Sequence, residues 1–170
     1  MLPEKDLVKK HKQHHCSTTN SVLVGSQIDR AKKDSPLIMK YKAYYSQKWF
    51  EGSKEKIDTP FVTGAHFSCN INLFNSIGGF NENLTDSEDL DFAINLLEAN
   101  IDIFLDPTIL AIHNDQITFK AYIKRQREYQ NSFLKLAKIN PLFQTKYAAR
   151  IFVPKTGVKK LVFFLLRNRT

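Results

Sequence analysis

Four carboxylates, Asp86, Glu88, Asp89 and Asp91, fall within six positions at the head of an apolar helical pattern, in a chain with a formal net charge of +8. The pair Gly78–Gly79 lies just upstream, and bare backbone of that kind lets a ligand approach closely. About twenty-five residues beyond the acids, a strand-like segment ends in His113. Acids at a helix start have an ordinary use, because the helix N-terminus stabilises a nearby negative charge by roughly 0.3–1 kcal/mol. Their chemical use depends on the histidine. A carboxylate held by helix N–H groups can take a proton from an attacking hydroxyl, and such general-base work contributes ~10²–10⁴ in rate. A neutral imidazole at a strand end suits a divalent metal. Both uses require that folding bring the strand end beside the helix start.

The elements that must do this are legible in outline. The run SVLVG (21–25) is apolar and ends in glycine, which predicts a buried strand. Ser35 is placed to cap a helix with Pro36 at its first position, and Leu37, Ile38, Tyr41, Tyr45 and Trp49 recur at helical spacing. Residues 59–70 predict two extended pieces broken at Gly64, and 71–80 a short helical turn closed by Gly78–Gly79. Thr85 and Glu88 have the spacing of a capping box. Leu90, Ala93, Ile94 and Leu97 then form an i, i+3, i+4, i+7 stripe, with Asn100 where a left-handed C-cap is wanted. Residues 101–106 alternate as a strand, and Pro107 is expected to turn the chain into a second strand that stops at His113. From Thr118 a long helix places Phe119, Tyr122, Ile123, Phe133, Leu134 and Ala137 on one side, and Pro141 ends it. Strands alternating with helices predict an α/β protein with a mixed sheet flanked by helices.

Composition narrows the class further. A 42% hydrophobic chain of 170 residues builds one folded core. Cys16 and Cys69 make neither a disulfide framework nor a paired metal motif, which fits a reducing compartment. Residues 1–119 carry 12 basic and 16 acidic side chains, whereas 120–170 carry 13 basic and one acidic, Glu128. Such a split predicts that the C-terminal third faces something anionic. Nucleic acid is not expected there, since no zinc, RNP-like or helix-turn-helix signature is present. The tail's apolar run, Leu161 to Leu166, is far below the ~20 residues of a bilayer-spanning helix. Peripheral contact with an anionic membrane surface, or packing on the core, are its two expected uses.

Taken in order, FVTGAHFSCNINLFNSIGGFNENLTDSEDLDFAINLLEANIDIFLDPTILAIHND (61–115) resembles the C-terminal half of family 2 nucleotide-sugar glycosyltransferases of the GT-A fold. That pattern has a small-residue segment, an apolar helical turn, Gly-Gly-Phe-(Asp/Asn)-Glu, a Glu-Asp pair opening a helix, and a strand ending in His. The resemblance implies a partial GT-A fold over 1–117 with a basic helical extension over 118–170. It implies that Asp89 deprotonates the acceptor hydroxyl, that Glu88 orients the acceptor, and that His113 completes the shell of a Mg²⁺ or Mn²⁺ ion. Gly64 and Ala65 would line the donor-sugar pocket, Gly78 and Gly79 would give acceptor and sugar room, and Arg125 and Arg127 would close over the diphosphate. The implied reaction transfers a sugar with inversion from a nucleotide-sugar to a glycan or lipid-linked acceptor.

Two departures qualify that implication. The segment RQREYQ lacks the tryptophan of the processive Gln-x-x-Arg-Trp motif, which favours one sugar per turnover. The opening MLPEKDLVKKH resembles the sequence that follows the family's Asp-x-Asp, and no Asp-x-Asp stands before it. Met1 therefore reads as an internal methionine, and this chain alone is expected to bind nucleotide-sugar weakly or not at all. A non-catalytic truncated fragment or an interaction module is the alternative reading, with a nucleic-acid-binding protein behind it.

Overall fold

The computed structural model describes residues 1–148, apart from Ser53 and the side chain of Trp49. The expected apolar run Leu161–Leu166 lies outside the described residues. Strand β2 (Ser21–Asp29) is central, with β5 (Asp102–His113) on one side and β4 (Phe67–Cys69) on the other. Val22, Leu23 and Val24 are completely buried, as expected of a strand covered on both faces. β2 and β5 run parallel from Ser21 opposite Asp102 to Asp29 opposite His113, while β4 pairs antiparallel with β2. Short strands β1 (Leu2–Pro3) and β3 (Glu55–Ile57) share the outer edge of β5, β3 along its first half and β1 along its second. The sheet is mixed and flanked by helices, which agrees with the expected class.

The turn expected at Pro107 does not form. β5 is one strand of 12 residues, and its register jumps from Gly25–Asp106 to Ser26–Leu110. Residues 107–109 bulge, and the Ser26 hydroxyl lies 2.9 Å from the Pro107 carbonyl and 3.2 Å from that of Ile109. A bulge tolerates proline because the ladder there asks for no N–H.

Helix α4 (Glu88–Glu98) is wedged between two apolar clusters. Phe92, Ala93 and Leu96 pack with Val22, Val24, Leu73 and Ile103, while Ile94 meets Leu136 and Phe143 on the opposite side. Around Phe92 stand Phe74, Phe80 and Phe67, with ring centroids 5.1, 5.5 and 6.0 Å away. This aromatic cluster anchors helix α3 (Ile71–Ser76) and the loop behind it. Gly78 and Gly79 end that helix with φ of 92° and 65°, their N–H groups donating to the carbonyls of Asn75 and Phe74. Asn100 takes its left-handed place at φ 57°. Helix α5 (Phe119–Ile139) starts where Thr118 caps the Ala121 N–H. A π-helical turn, Phe143–Tyr147, then returns to α4, where Lys146 and Tyr147 both meet Glu98.

Three local expectations are corrected. The Thr85 capping box is absent: Ser87 holds the cap position in a left-handed conformation, φ 76°, without a side-chain cap bond. Ser35 does not cap helix α2 (Leu37–Trp49), since its hydroxyl accepts the Lys32 N–H and Pro36 stands at the cap position. The sheet also takes the other face of α2. Met39 and Ala43 are buried, whereas Leu37, Tyr41 and Tyr45 stay exposed. In α5 the buried positions are Ser132 and Leu136, and Phe119 and Leu134 face outward.

Candidate functional site

The parallel strands β2 and β5 end together at Asp29 and His113, and the carboxyl ends of parallel strands are where α/β sheets bind ligands. Asp89, in the first turn of α4, accepts the Gly64 N–H at Oδ2 (3.1 Å) and the Leu90 N–H at Oδ1 (2.8 Å). The carboxylate is therefore fixed by two backbone donors and keeps a free lone pair on each oxygen. Gly64 and Ala65 are exposed beside it. A Cβ built on Gly64 would come no closer than 4.0 Å to Asp89. The fold itself thus leaves room for a side chain at position 64.

The turn that presents this carboxylate is strained and gripped from outside. Left-handed backbone costs a non-glycine residue roughly 1–2 kcal/mol, and Ser87 adopts it immediately before Glu88. Helix α5 holds the turn in place. The Ser132 hydroxyl bonds the Asp86 carbonyl and the Ser87 hydroxyl. Arg125 clasps the Asp86 carboxylate at two oxygens, 2.5 and 3.1 Å, and lies 4.4 Å over the Tyr129 ring. Those neighbours, Tyr129 first, keep its guanidinium well above the ordinary arginine range. Glu88 ends with one buried oxygen, Oε2, that no donor reaches.

At the strand ends His113 places Nδ1 3.1 Å from Asp29 Oδ1, which also takes the Lys42 ammonium at 3.2 Å. A carboxylate against Nδ1 fixes the proton there and turns the Nε2 lone pair outward, where Asp115 lies 3.7 Å away. Asp89 and His113 do not bond to one another. They are connected through the 63–64 segment, because the Thr63 hydroxyl reaches Gln27 Oε1 at 3.5 Å. Gln27 and Asp29 lie two residues apart on β2 and therefore on the same face of the sheet. Arg127 is exposed on α5, and Gly78 and Gly79 are placed by their helix-ending role described above.

The chain is similar to a glycosyltransferase. Pre-mycofactocin glycosyltransferase from two strains of Mycobacterium tuberculosis is 24% identical to it over 146 residues, covering 83% of this chain. The chain spans about a third of the length of those curated relatives, the matched stretch covering 31% of them. No protein-family model and no solved structure matches. The chain is thus distantly related to a glycosyltransferase by sequence, and its mixed α/β fold is compatible with part of one.

As for a metal, among the described residues no group of three or more His, Cys, Asp or Glu side chains could hold a metal ion. His113 Nε2 and Asp115 offer two donors, whereas Mg²⁺ wants near-octahedral oxygen ligation. These residues do not make a Mg²⁺ or Mn²⁺ site on their own.

Sequence reasoning missed a second constellation, made of the other four of the chain's five histidines. His11, His14 and His15 come from helix α1 (Leu7–Ser17), and His66 from the turn before β4. The Ser26 carbonyl can only accept, so His66 carries its proton on Nδ1 (3.0 Å). Its Nε2 then accepts from His11 Nε2 at 3.1 Å. His11 Nδ1 accepts the Ser68 hydroxyl (2.6 Å), which in turn accepts from His15 Nε2 (2.8 Å). His15 Nδ1 closes the chain, buried and without a donor. The Lys54 ammonium donates to His14 Nδ1 at 2.8 Å, so His14 Nε2 donates to Ser21. Burial, then the neighbouring His66, pushes His11 down to about 4. Burial, then Lys54, does the same to His14. The i, i+3, i+4 spacing of His11, His14 and His15 marks one face of a helix, but their meeting with His66 exists only once α1 lies on the sheet.

Proposed function

We propose that this chain carries the acceptor-side half of a glycosyltransferase that uses a nucleotide-sugar donor and inverts the anomeric carbon. The observation that carries the reading is Asp89: a carboxylate fixed by two backbone N–H groups beside the exposed Gly64–Ala65 segment. In this reading the acceptor hydroxyl attacks the anomeric carbon while Asp89 takes its proton. The bond to the diphosphate breaks on the far side, and the nucleoside diphosphate leaves with the electron pair. Gly64 and Ala65 border the donor sugar, and Glu88, half-buried one position before Asp89, orients the acceptor. Smallness at position 64 then serves a ligand, since the packing there does not require it. The distant likeness to a glycosyltransferase supports the same reaction class.

His113, with Asp115, would offer a divalent cation two ligands, and the remainder would come from outside the described residues. Arg125 serves by holding Asp86, while Arg127 remains exposed toward an anionic group. The acceptor is a glycan or a lipid-linked sugar, extended one residue at a time.

The test is nucleoside-diphosphate release from a panel of nucleotide-sugars, measured on the natural protein that carries this sequence. Asp89→Asn keeps the shape but only one of the two N–H contacts, because its amide nitrogen cannot accept, and should lower turnover by ~10²-fold or more with only a small drop in the unfolding midpoint. Turnover equal to that of the unmodified protein would overturn the assignment of Asp89.

A further inference from the structure

We infer that the groove between the starts of α2 and α5 binds the aliphatic chain of a lipid phosphate, with the phosphate on the neighbouring basic face of α5. The groove has a volume of about 640 Å³, and Leu37, Ile38 and Tyr41 face Ile117, Phe119 and Tyr122 across it. Leu37 and Phe119 are 82% and 67% exposed, a large commitment of apolar surface to water for the first residue of each helix. Its lining offers few hydrogen-bonding groups. The Thr118 hydroxyl is occupied by the Ala121 N–H, which leaves the tyrosine hydroxyls. A sugar needs many such partners, whereas a hydrocarbon chain needs none.

The charge comes from next door. A second groove, of about 800 Å³, shares Thr118 and Phe119 with the first and is lined by Lys120, Lys124 and Arg127. Its one acid, Glu128, already pairs with Lys124 and Arg125. Apolar trough and cationic face therefore meet along one turn of α5, complementary to one molecule with a hydrocarbon tail and an anionic head. The pair also adjoins the strand ends. Tyr41 precedes Lys42, which reaches Asp29 and through it His113, and Ile117 follows His113 by four residues. In the sugar-transfer reading, on which only this last clause rests, the lipid phosphate is the acceptor's anchor.

Binding is tested without any turnover, so its outcome is separate from that of the Asp89 experiment. The full chain is titrated with dodecyl phosphate below its micelle concentration, following backbone amide shifts. The expected result is saturable binding with shifts at Leu37, Tyr41, Phe119 and Lys120. Affinity should be about tenfold or more lower for dodecanol and for inorganic phosphate, because each lacks half of the match. Leu37→Ser with Phe119→Ser should abolish it, and Lys120→Glu with Lys124→Glu should leave only the dodecanol affinity. All four positions are exposed, so unchanged circular dichroism is expected. Equal affinity for dodecanol and dodecyl phosphate, binding only to anionic vesicles, no shifts at the groove, or a self-associated chain whose groove is closed by a second copy would each overturn the inference.

Discussion

Gly25 shows how tightly single positions are specified behind the candidate site. A Cβ there would lie 2.3 and 2.5 Å from two atoms of the His66 ring and 2.8 Å from the Ile109 carbonyl. The ring cannot swing away without breaking its bonds to Ser26 and His11. Gly25→Ala should therefore destabilise by roughly 1–3 kcal/mol through overpacking, read as a lower urea midpoint. A midpoint within error of the parent would mean that His66 does not sit on β2. The backbone N–H of His66 closes the turn to Thr63, and the Gly64 N–H within that turn holds Asp89, so the variant should also disturb the carboxylate. At this scale the sequence was partly readable. His66 departs from a small-residue segment, and a bulky imidazole there reads either as a restriction of the pocket or as a satisfied structural histidine; its bonds to Ser26 and His11 make it the second. The contact of His66 with the α1 histidines, and the Asp29–Lys42 pair behind His113, form across elements, which no local pattern records.

Among the elements, α4 joins the two apolar clusters, and its partner α5 grips the acidic turn at its start. Leu136 is fully buried against Ile94, Leu84 and Phe143. Leu136→Ala should cost roughly 2–5 kcal/mol, and it should loosen the Ser132 and Arg125 grip on residues 86–87. Faster amide exchange at Ser87–Asp89 than at Ile103 would show that loosening; equal acceleration at both would mean simple global destabilisation. Periodicity located α4 and α5 because their apolar spacing and their stops, Asn100 and Pro141, are local. It failed at the start of α4, where the bonds from Ser132 and Arg125 secure a left-handed Ser87 that Thr85 alone would not choose. It failed at Pro107 for a related reason, since Ser26 on the neighbouring strand supplies what the bulge needs. The exposed stripe of α2 reverses the usual logic: aromatic spacing marked a face, and the smaller Met39–Ala43 face fits the sheet.

For the molecule as a whole, acid is the condition that tests the histidine cluster. His11 and His14 have folded values of about 4, against 6.5 ordinarily, and burial lowers His66 as well. Between those limits the unfolded chain binds protons that the folded chain does not. Stability should be fully present above about pH 6.5 and fall as the pH drops toward 4, by an amount on the order of a few kcal/mol. Lys54 and the neighbouring histidines strengthen this trend, and Asp106 opposes it. Urea midpoints at pH 7.5 and 4.5 measure the fall, and His11→Gln should make it shallower. An unchanged midpoint would show that the imidazoles are solvated.

A rod of 21 residues is about 30 Å long. Its open first turn stands beside the apolar trough, and its middle clamps the bend ahead of Asp89. Leverage follows from that anatomy: a tilt introduced at Phe119 is delivered, 13 residues further on, to Ser132. A shift of α5 at its first turn would thereby reach the turn that holds Asp89 through the helix itself, with no moving loop needed to carry it.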